Sequence, residues 1–501
     1  MLNQNQIPIL EQLHRCGTRT PHAPFYAPGH KRGQGISPYL TNVLGEEVFA
    51  VDLPELPELD NLYQPYGVIQ QAQALAAEAF GAEQTWFLVN GSTAGIIAAI
   101  VATCNPGDKI IIPRNIHFSV ISGLVLSGAE AVVINPEYNS QWNLAYSITP
   151  EAIEQALKQH SDIKAILHLY PTYEGICGDI TAIADLAHEY HIPLIVDEAH
   201  GPHFTFHPDL PTSALAAGAD LTVQSTHKVL GAMTQASMLH VQGSRVNRYR
   251  LTQALQQVQS SSPSYLLLAS LDAARHQMAT QGKKLIADTL KLAHLARSQL
   301  QKIPKLSVFH PQSEHQNQKS LEKTTGFIDL DLTRLTVKVS DLGLRGYQAD
   351  EILHQQLGIT PELPSLKCLT FIISLGNTKT DIDQLIAGLT TLANCHRTSS
   401  SMLHQPEVNF ISPETSSVIR PRTAFFAPVQ LRSLEKSIGY ISAEQVVPYP
   451  PGIPVLIPGE TITLEKVQFL QTLLNSGATL TGCSDPTLET INVVDCHPLK
   501  V

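Results

Sequence analysis

Three short polar segments of this sequence combine residue types that can bind a charged ligand and react with it. Residues 90–93 read Asn-Gly-Ser-Thr, residues 197–200 read Asp-Glu-Ala-His, and residues 225–228 read Ser-Thr-His-Lys. Each segment follows a short apolar run that is typical of a buried strand. Open α/β sheets bind their ligands at the carboxyl ends of their strands, so these segments are the first candidates for a functional site.

The segment 90–93 joins a predicted strand to a predicted helix and has the composition of a phosphate site. Its glycine lets the backbone approach a ligand closely, and the start of the helix supplies free N–H groups. Ser92 and Thr93 add two hydroxyl groups that can donate hydrogen bonds. The alternative is an ordinary Ser or Thr cap at the start of a helix.

The segment 197–200 also matches the DEAH box of helicases and ATPases. That interpretation requires an upstream GxxxxGK[ST] phosphate loop, which the sequence lacks, and it fits poorly with an acidic chain. A buried Asp197 at a strand end is better suited to pairing with a cationic nitrogen. His200, His203 and His207 do not have the spacing of a metal site, so we expect orienting or structural roles and no bound metal.

Lys228 becomes a candidate nucleophile if it lies in an apolar setting, because desolvation lowers the pKa of a lysine and frees its amine. A surface lysine after a strand is the alternative interpretation. A phosphate cradle, an aspartate at a strand end and a lysine about thirty residues later together meet the needs of pyridoxal phosphate (PLP). The cradle holds the phosphate, Asp197 keeps the pyridine nitrogen protonated, and Lys228 forms the Schiff base.

The pattern of apolar runs predicts the elements that position these groups. A helix is expected over 68–80, which ends at Gly81. Strands are expected over 85–89, 109–112, 131–134, 164–169, 193–196, 221–224 and 237–241, with helical segments between most of them. Continuous apolar strands separated by helices predict an α/β fold with a mostly parallel sheet covered on both faces. A longer amphipathic helix is expected to begin near residue 285.

We predict five regions along the 501 residues. They are an N-terminal segment (1–66), a large cofactor-binding domain (67–284), a small α+β domain (285–395), a linker (396–417) and a C-terminal α+β domain (418–501).

Composition excludes several classes of function. Lys and Arg number 33 and Asp and Glu 44, which gives a formal charge of −11 and argues against nucleic acid or an anionic membrane as the main partner. No secretory signal is recognisable, and no apolar run approaches the roughly 20 residues that span a bilayer. The seven scattered cysteines fit reduced thiols. We therefore expect a cytoplasmic protein.

Longer motifs make the chain resemble a known family. Residues 25–31 (FYAPGHK), 197–201 (DEAHG), 225–228 (STHK), 449–454 (YPPGIP) and 458–460 (PGE) are similar to segments of the bacterial ornithine/lysine/arginine decarboxylases. These enzymes have the aspartate-aminotransferase fold of PLP-dependent transferases. The resemblance covers nearly the whole chain and is strongest to the short form, typified by a bacterial arginine decarboxylase, which lacks the N-terminal response-regulator-like domain.

The resemblance implies a role for each candidate residue. Lys228 would be the Schiff-base lysine, Asp197 the partner of the pyridine nitrogen, and His117 a ring stacked on the cofactor. Ser260 would reach the phosphate in the neighbouring subunit, which places the active site at a dimer interface. Further cofactor contacts would come from Ser92, Thr93, Ala199, Ser225 and His227. Glu460 and His200 would contact the substrate, Glu460 at its distal cation, although a helix cap is an alternative for Glu460.

The implied reaction is PLP-dependent decarboxylation of a basic L-amino acid to an amine of polyamine biosynthesis and CO₂. The catalytic set would be Lys228, His117, Asp197 and His227, with the proton returned to Cα by Lys228 or a nearby histidine. A PLP-dependent aminotransferase or lyase, with Arg345 at the substrate carboxylate, and a non-catalytic PLP-binding regulator are the alternatives.

Substrate choice among arginine, lysine and ornithine is open, because carboxylates can bind either a guanidinium or an ammonium group. The chain departs from many relatives at Phe118, where they have lysine. It also departs from long-form lysine enzymes at His200, where they often have an aromatic residue. We expect a homodimer or a higher homo-oligomer with shared active sites.

Overall fold

The computed structural model describes residues 2–310, 326–396, 418–449, 453–475 and 477–495. The chain divides into two compact units, residues 1–102 with 196–287 and residues 103–195 with 288–501. The predicted linker, residues 396–417, lies outside the described residues except for its first residue. The predicted domain boundaries remain predictions.

Nineteen strands occur in the described part of the chain. They are β1 (Gln84–Leu88), β2 (Lys109–Pro113), β3 (Glu130–Ile134), β4 (Tyr138–Asn139), β5 (Leu144–Ala145), β6 (Ile163–Leu169), β7 (Ile176–Cys177), β8 (Leu194–Asp197), β9 (Leu221–Gln224), β10 (Ser237–Val241), β11 (Ser307–Val308), β12 (Asp329–Leu330), β13 (Arg334–Lys338), β14 (Leu363–Pro364), β15 (Cys368–Ile372), β16 (Val429–Ser433), β17 (Val447–Tyr449), β18 (Thr479–Thr481) and β19 (Thr490–Val494).

The α-helices of the described residues follow the same chain order. They are α1 (Pro8–Thr18), α2 (Pro38–Leu44), α3 (Glu47–Ala50), α4 (Val68–Phe80), α5 (Gly91–Thr103), α6 (Phe118–Ser127), α7 (Pro150–Gln159), α8 (Ile180–Glu189), α9 (Thr226–Val229), α10 (Arg248–Val258), α11 (Tyr265–Leu300), α12 (Gly346–Leu357), α13 (Lys379–Cys395), α14 (Pro421–Phe426) and α15 (Leu464–Leu474).

The central sheet has seven strands in the order β1-β10-β9-β8-β6-β2-β3. Strand β2 pairs in parallel with β3 and β6, whereas β10 runs antiparallel to both of its neighbours. The sheet strands β2, β6, β8, β9 and β10 are almost entirely buried, which explains why the sequence shows them as continuous apolar runs. The predicted α/β fold with helices between the strands is confirmed.

In the first unit, helix α4 occupies residues 68–80 as expected and ends at Gly81 in the left-handed conformation. The expected start of the long helix near residue 285 is wrong, because α11 begins at Tyr265 and runs for 36 residues. Gly282 lies within this continuous helix, at a position where a Cβ atom would crowd Phe206 and Met278. No helix among the described residues is both long and apolar enough to cross a membrane.

The second unit contains, besides β2, β3 and β6, a four-stranded sheet in the order β11-β13-β15-β14. Buried side chains of this sheet, such as Leu335 and Val337, share a core with Leu353 of α12 and Leu389 of α13. Towards the C-terminus, the pairs β16–β19 and β17–β18 form two small antiparallel sheets. This alternation of sheet and helix agrees with the predicted α+β character of the later regions.

Candidate active site

The segment after β1 has the geometry of an anion cradle. Gly91 begins α5 with a φ of +75°, a backbone conformation that side chains disfavour, so glycine is required at this turn. Ser92 and Thr93 lie in the first turn of α5, where backbone N–H groups are free of helix partners. The Ser225 hydroxyl, buried after β9, donates to the Ser92 hydroxyl over 2.8 Å. The structure thus brings together residues 133 positions apart.

Asp197 is the last residue of β8 and is buried. Its Oδ1 accepts a hydrogen bond from the Ala199 backbone N–H at 3.2 Å, so Ala199 orients the carboxyl group. Burial raises the pKa of Asp197, and the positive charge of Lys228 and the Ala199 N–H oppose that shift. A cation brought to this carboxyl group would stabilise its ionised form.

Lys228 lies in α9, directly after β9, and is half-buried. Its Nζ is 2.9 Å from Nε2 of His200, a fully buried ring. A hydrogen bond between an amine and an imidazole can hold or transfer a proton, because both groups can exist in neutral form. The structure therefore places His200, predicted to contact substrate, next to the predicted nucleophile.

His227 precedes Lys228 and is fixed by the backbone. Its Nδ1–H donates to the Ala236 carbonyl oxygen at 2.9 Å, which leaves Nε2 as the acceptor of the neutral ring. Burial lowers the pKa of His227; the bond to Ala236 opposes this shift and the charge of Lys228 adds to it. This ring is consequently suited to remain neutral at neutral pH.

Ser260 lies in an exposed loop after α10. Its backbone N–H donates to Asn90 Oδ1 at 3.2 Å, and its hydroxyl accepts from the Ser262 N–H at 3.1 Å. The preceding Gln259 side chain accepts from the Val89 N–H at 2.9 Å. The loop is therefore tied to the strand end that precedes the anion cradle of its own chain.

His117 belongs to the second unit and caps helix α6. Its Nδ1 accepts from the Ser119 backbone N–H at 3.3 Å, so the ring carries its proton on Nε2 when neutral. The neighbouring Phe118 ring lies against it, with 4.2 Å between the centroids. These contacts fix the imidazole at the start of the helix.

Glu460, in the second unit, is fully buried and already paired with two cations. The Arg114 guanidinium donates to both carboxylate oxygens, with Nη2 at 3.0 Å from Oε2, and Lys466 Nζ donates to Oε2 at 2.9 Å. Burial raises the pKa of Glu460, but the two cations outweigh burial and hold it below its usual value. These contacts favour a structural role over binding of a substrate cation.

Sequence reasoning missed Arg114 and Lys466 as partners of Glu460. Arg114 directly follows β2 and lies three residues before His117. Its Nη2 also donates to the Val455 carbonyl oxygen at 2.7 Å. The sequence Arg-Asn-Ile-His over residues 114–117 shows a charged residue directly after a predicted strand, which makes an ion pair plausible there, but it does not show the partner.

The substitution Glu460→Gln is expected to lower the free energy of unfolding by about 3–5 kcal/mol, because it leaves two buried cations without a carboxylate. Denaturant unfolding monitored by circular dichroism measures this loss. The exposed Glu435→Gln variant is the matched control and is expected to unfold like the parent. Unchanged stability with a raised KM would instead indicate that Glu460 binds substrate.

The groups in the first unit fit PLP. An amine, a buried carboxyl group and hydroxyls at a helix N-terminus are the donors that its aldehyde, ring nitrogen and phosphate require. Within the described residues, no group of three or more His, Cys, Asp or Glu side chains is arranged to hold a metal ion. The donor set is consistent with an organic cofactor that carries a phosphate.

Comparison with known proteins was made on sequence and on structure. The family model for the Orn/Lys/Arg decarboxylase major domain matches residues 7–381, and the family model for the C-terminal domain matches residues 410–487. The arginine decarboxylase of Bacillus subtilis (strain 168) is 39% identical over 494 residues, which cover 98% of this chain and 99% of that protein. The matched residues therefore include the first and the last of the family motifs, residues 25–31 and 458–460.

Solved structures agree on the fold. The lysine decarboxylase LdcF of Francisella novicida aligns with a TM-score of 0.83 at 23% identity, over 98% of this chain and 82% of that one. The ureidoglycine-glyoxylate aminotransferase of Bacillus subtilis aligns with a TM-score of 0.52 at 15% identity, over 66% of this chain and 85% of that one. The predicted fold of PLP-dependent transferases is confirmed, and the chain belongs to the Orn/Lys/Arg decarboxylase family.

Proposed function

We propose that this chain, an amino-acid decarboxylase, converts L-arginine to agmatine and CO₂ with PLP bound at Lys228. The bond between Cα and the carboxylate breaks, CO₂ leaves, and a proton takes its place on Cα. The observation that carries the proposal is the Lys228–His200 pair on the segments that also bear Asp197 and Ser225. The 39% identity to an arginine decarboxylase over nearly the whole chain supports arginine as the substrate.

PLP, when bound, supplies a ring that accepts the electron pair left on Cα. Asp197 would keep the ring nitrogen protonated, and its bond to the Ala199 N–H would hold the carboxylate in place. The phosphate would bind to Ser92, Thr93 and Ser225 at the start of α5. His227 would contact the cofactor from its fixed orientation. Stacking of His117 on the cofactor ring remains a prediction.

The proton that returns to Cα requires a donor near the reacting carbon. Lys228 and His200 share a hydrogen bond of 2.9 Å, so either group can hold the proton and pass it to the other. His200 is buried, which limits exchange of that proton with solvent. The pair is therefore the best candidate for the proton donor.

Glu460 would hold Arg114 in place and would not bind the substrate, because its two carboxylate oxygens already accept hydrogen bonds from Arg114 and Lys466. The Arg345 guanidinium, considered for an aminotransferase, donates to the Asn475 carbonyl oxygen at 3.1 Å. Membership in a decarboxylase family favours loss of the carboxylate over amino transfer.

A role in polyamine biosynthesis, a homodimer and a cytoplasmic location remain predictions. The Ser260 loop is exposed in the single chain, as contact with a second subunit would require. Analytical ultracentrifugation of the PLP-loaded protein tests the dimer directly.

Substrate choice is tested by incubating the PLP-loaded protein separately with L-arginine, L-lysine and L-ornithine and identifying the amines by mass spectrometry. We expect agmatine to form with a kcat/KM at least about tenfold above that of cadaverine or putrescine formation, roughly 1.4 kcal/mol of discrimination. The Lys228→Ala protein is the blank. Faster cadaverine or putrescine formation would overturn arginine as the substrate, and a keto acid with pyridoxamine phosphate would indicate an aminotransferase.

A further inference from the structure

A chain of four buried polar side chains crosses the core of the first unit. Thr85 of β1, His240 of β10, Gln224 of β9 and Glu198, which follows β8, are each at most 3% exposed. Successive members are joined by hydrogen bonds of 2.8, 3.1 and 2.7 Å. The proposed reaction does not use any of these four side chains, although burial of polar groups in a core costs free energy.

The hydrogen bonds that join these four side chains run in one direction. The Thr85 hydroxyl donates to Nδ1 of His240, Nε2–H of His240 donates to Oε1 of Gln224, and Nε2–H of Gln224 donates to Oε2 of Glu198. Burial lowers the pKa of His240 to about 3, so its ring is neutral and has one donor and one acceptor, as this direction requires. The Ala214 backbone N–H donates to Oε1 of Glu198 at 2.7 Å.

The hydrogen bond between Gln224 and Glu198 connects the two segments that carry the proposed cofactor-binding residues. Glu198 directly follows Asp197, and Gln224 directly precedes Ser225. The Glu198 backbone N–H also donates to the Val223 carbonyl oxygen at 2.9 Å, so backbone and side chain fix the same pair of strand ends. Movement of Glu198 against Gln224 would therefore change the separation of Asp197 from Ser225.

We propose that Glu198 and Gln224 are positioning residues that fix the distance between Asp197 and Ser225. By fixing this distance, they set the affinity of the protein for PLP. This inference rests on the proposed function, since it takes Asp197 as the partner of the ring nitrogen and Ser225 as part of the phosphate cradle. Neither Glu198 nor Gln224 contacts the cofactor in this account.

The bond between the two side chains can be removed or kept by substitution. In Glu198→Leu, the Ala214 N–H and Nε2–H of Gln224 lose their acceptor, and in Gln224→Leu, Glu198 and His240 lose their partner. In Glu198→Gln, the amide oxygen accepts from the Ala214 N–H and the amide Nε2–H donates to Oε1 of a reversed Gln224 amide. His240 then takes its other tautomer and donates to Thr85, so Glu198→Gln is the conservative variant that keeps every bond between the side chains.

The measurement is a titration of the apoprotein with PLP, followed by the absorbance of the bound cofactor. Glu198→Leu and Gln224→Leu are each expected to raise the Kd by roughly 10- to 100-fold, and Glu198→Gln to keep it within about threefold of the parent. The thermal midpoint of each apoprotein, measured in parallel, reports whether the variant folds.

Three outcomes would overturn the inference. A Kd unchanged in the folded leucine variants would mean that these four side chains have a structural role only. A Kd raised more than about tenfold in folded Glu198→Gln, which keeps the bond, would exclude positioning through this bond, even if the leucine variants fail to fold. Failure of the parent itself to bind PLP would overturn the proposed function as well, and thus differs from the first two results.

Discussion

Replacement of Lys228 by alanine is expected to lower the rate of CO₂ release from L-arginine by a factor on the order of 10⁴ or more. In the proposed mechanism, the amine of Lys228 is both the attachment point of PLP and one half of the pair that returns the proton to Cα. The measurement is the release of CO₂ from carboxyl-labelled arginine under saturating PLP.

The fold is expected to survive this change, because Lys228 is half-buried and lies in a four-residue helix at the end of β9. Circular dichroism checks the fold of the variant. The exposed Lys283→Ala variant in α11 is the matched control and should keep the parent rate. Turnover of Lys228→Ala at more than about a tenth of the parent rate would contradict the assigned role.

The substitution Asp197→Asn is expected to lower kcat by roughly 10²- to 10³-fold, the effect of removing one preorganised electrostatic contact from an active site. The amide has the shape of the carboxyl group, and its oxygen can still accept from the Ala199 N–H. The change therefore removes the charge at the end of β8 and keeps the geometry. The measurement is kcat for agmatine formation at saturating PLP.

The control for this prediction is Asp209→Asn, at an exposed carboxyl group of the same unit, which should leave kcat unchanged. The absorbance spectrum of the bound cofactor is recorded for both variants, because loss of a charged partner at the ring nitrogen should alter it only in Asp197→Asn. A parent-like kcat in Asp197→Asn would show that the ring nitrogen does not depend on this carboxylate.

Local patterns of residue types were sufficient to predict which residues form the strands of the central sheet. Strands β9 and β10 lie at the predicted residues, and the predicted start or end of the other sheet strands differs by at most one residue. These strands are buried, so their residues form uninterrupted apolar runs, and α4 is delimited by Gly81. Local signals failed at α11, because an apolar, alanine-rich stretch before residue 285 continues the helix back to Tyr265.

Contacts between distant residues were not predictable from local patterns. The bond between Glu198 and Gln224 joins positions 26 apart, and the pair of Arg114 with Glu460 joins positions 346 apart. A single sequence shows a charged residue but not the partner that a fold brings to it. For this reason Glu460 was expected at the substrate, whereas its surroundings in the structure are two protein cations.

The same limit explains how much of the candidate site was foreseen. Lys228, Asp197 and Ser92 each lie at the end of a strand or shortly after it, so their positions at one edge of the sheet were predictable from the order of the elements. The hydrogen bond of Lys228 with His200 depends on the conformation of the turn after β8, which the pattern of residue types does not specify. The roles of Ser260 and His117 remain predictions.

The account is tested most directly by reducing the PLP-loaded protein with borohydride, digesting it and locating the modified peptide by mass spectrometry. The expected result is one phosphopyridoxyl group on the peptide that contains Lys228, with a lower yield when excess L-arginine is added before reduction, because the substrate amine displaces the lysine. Modification absent from Lys228, or spread over surface lysines and insensitive to arginine, would contradict the central claim.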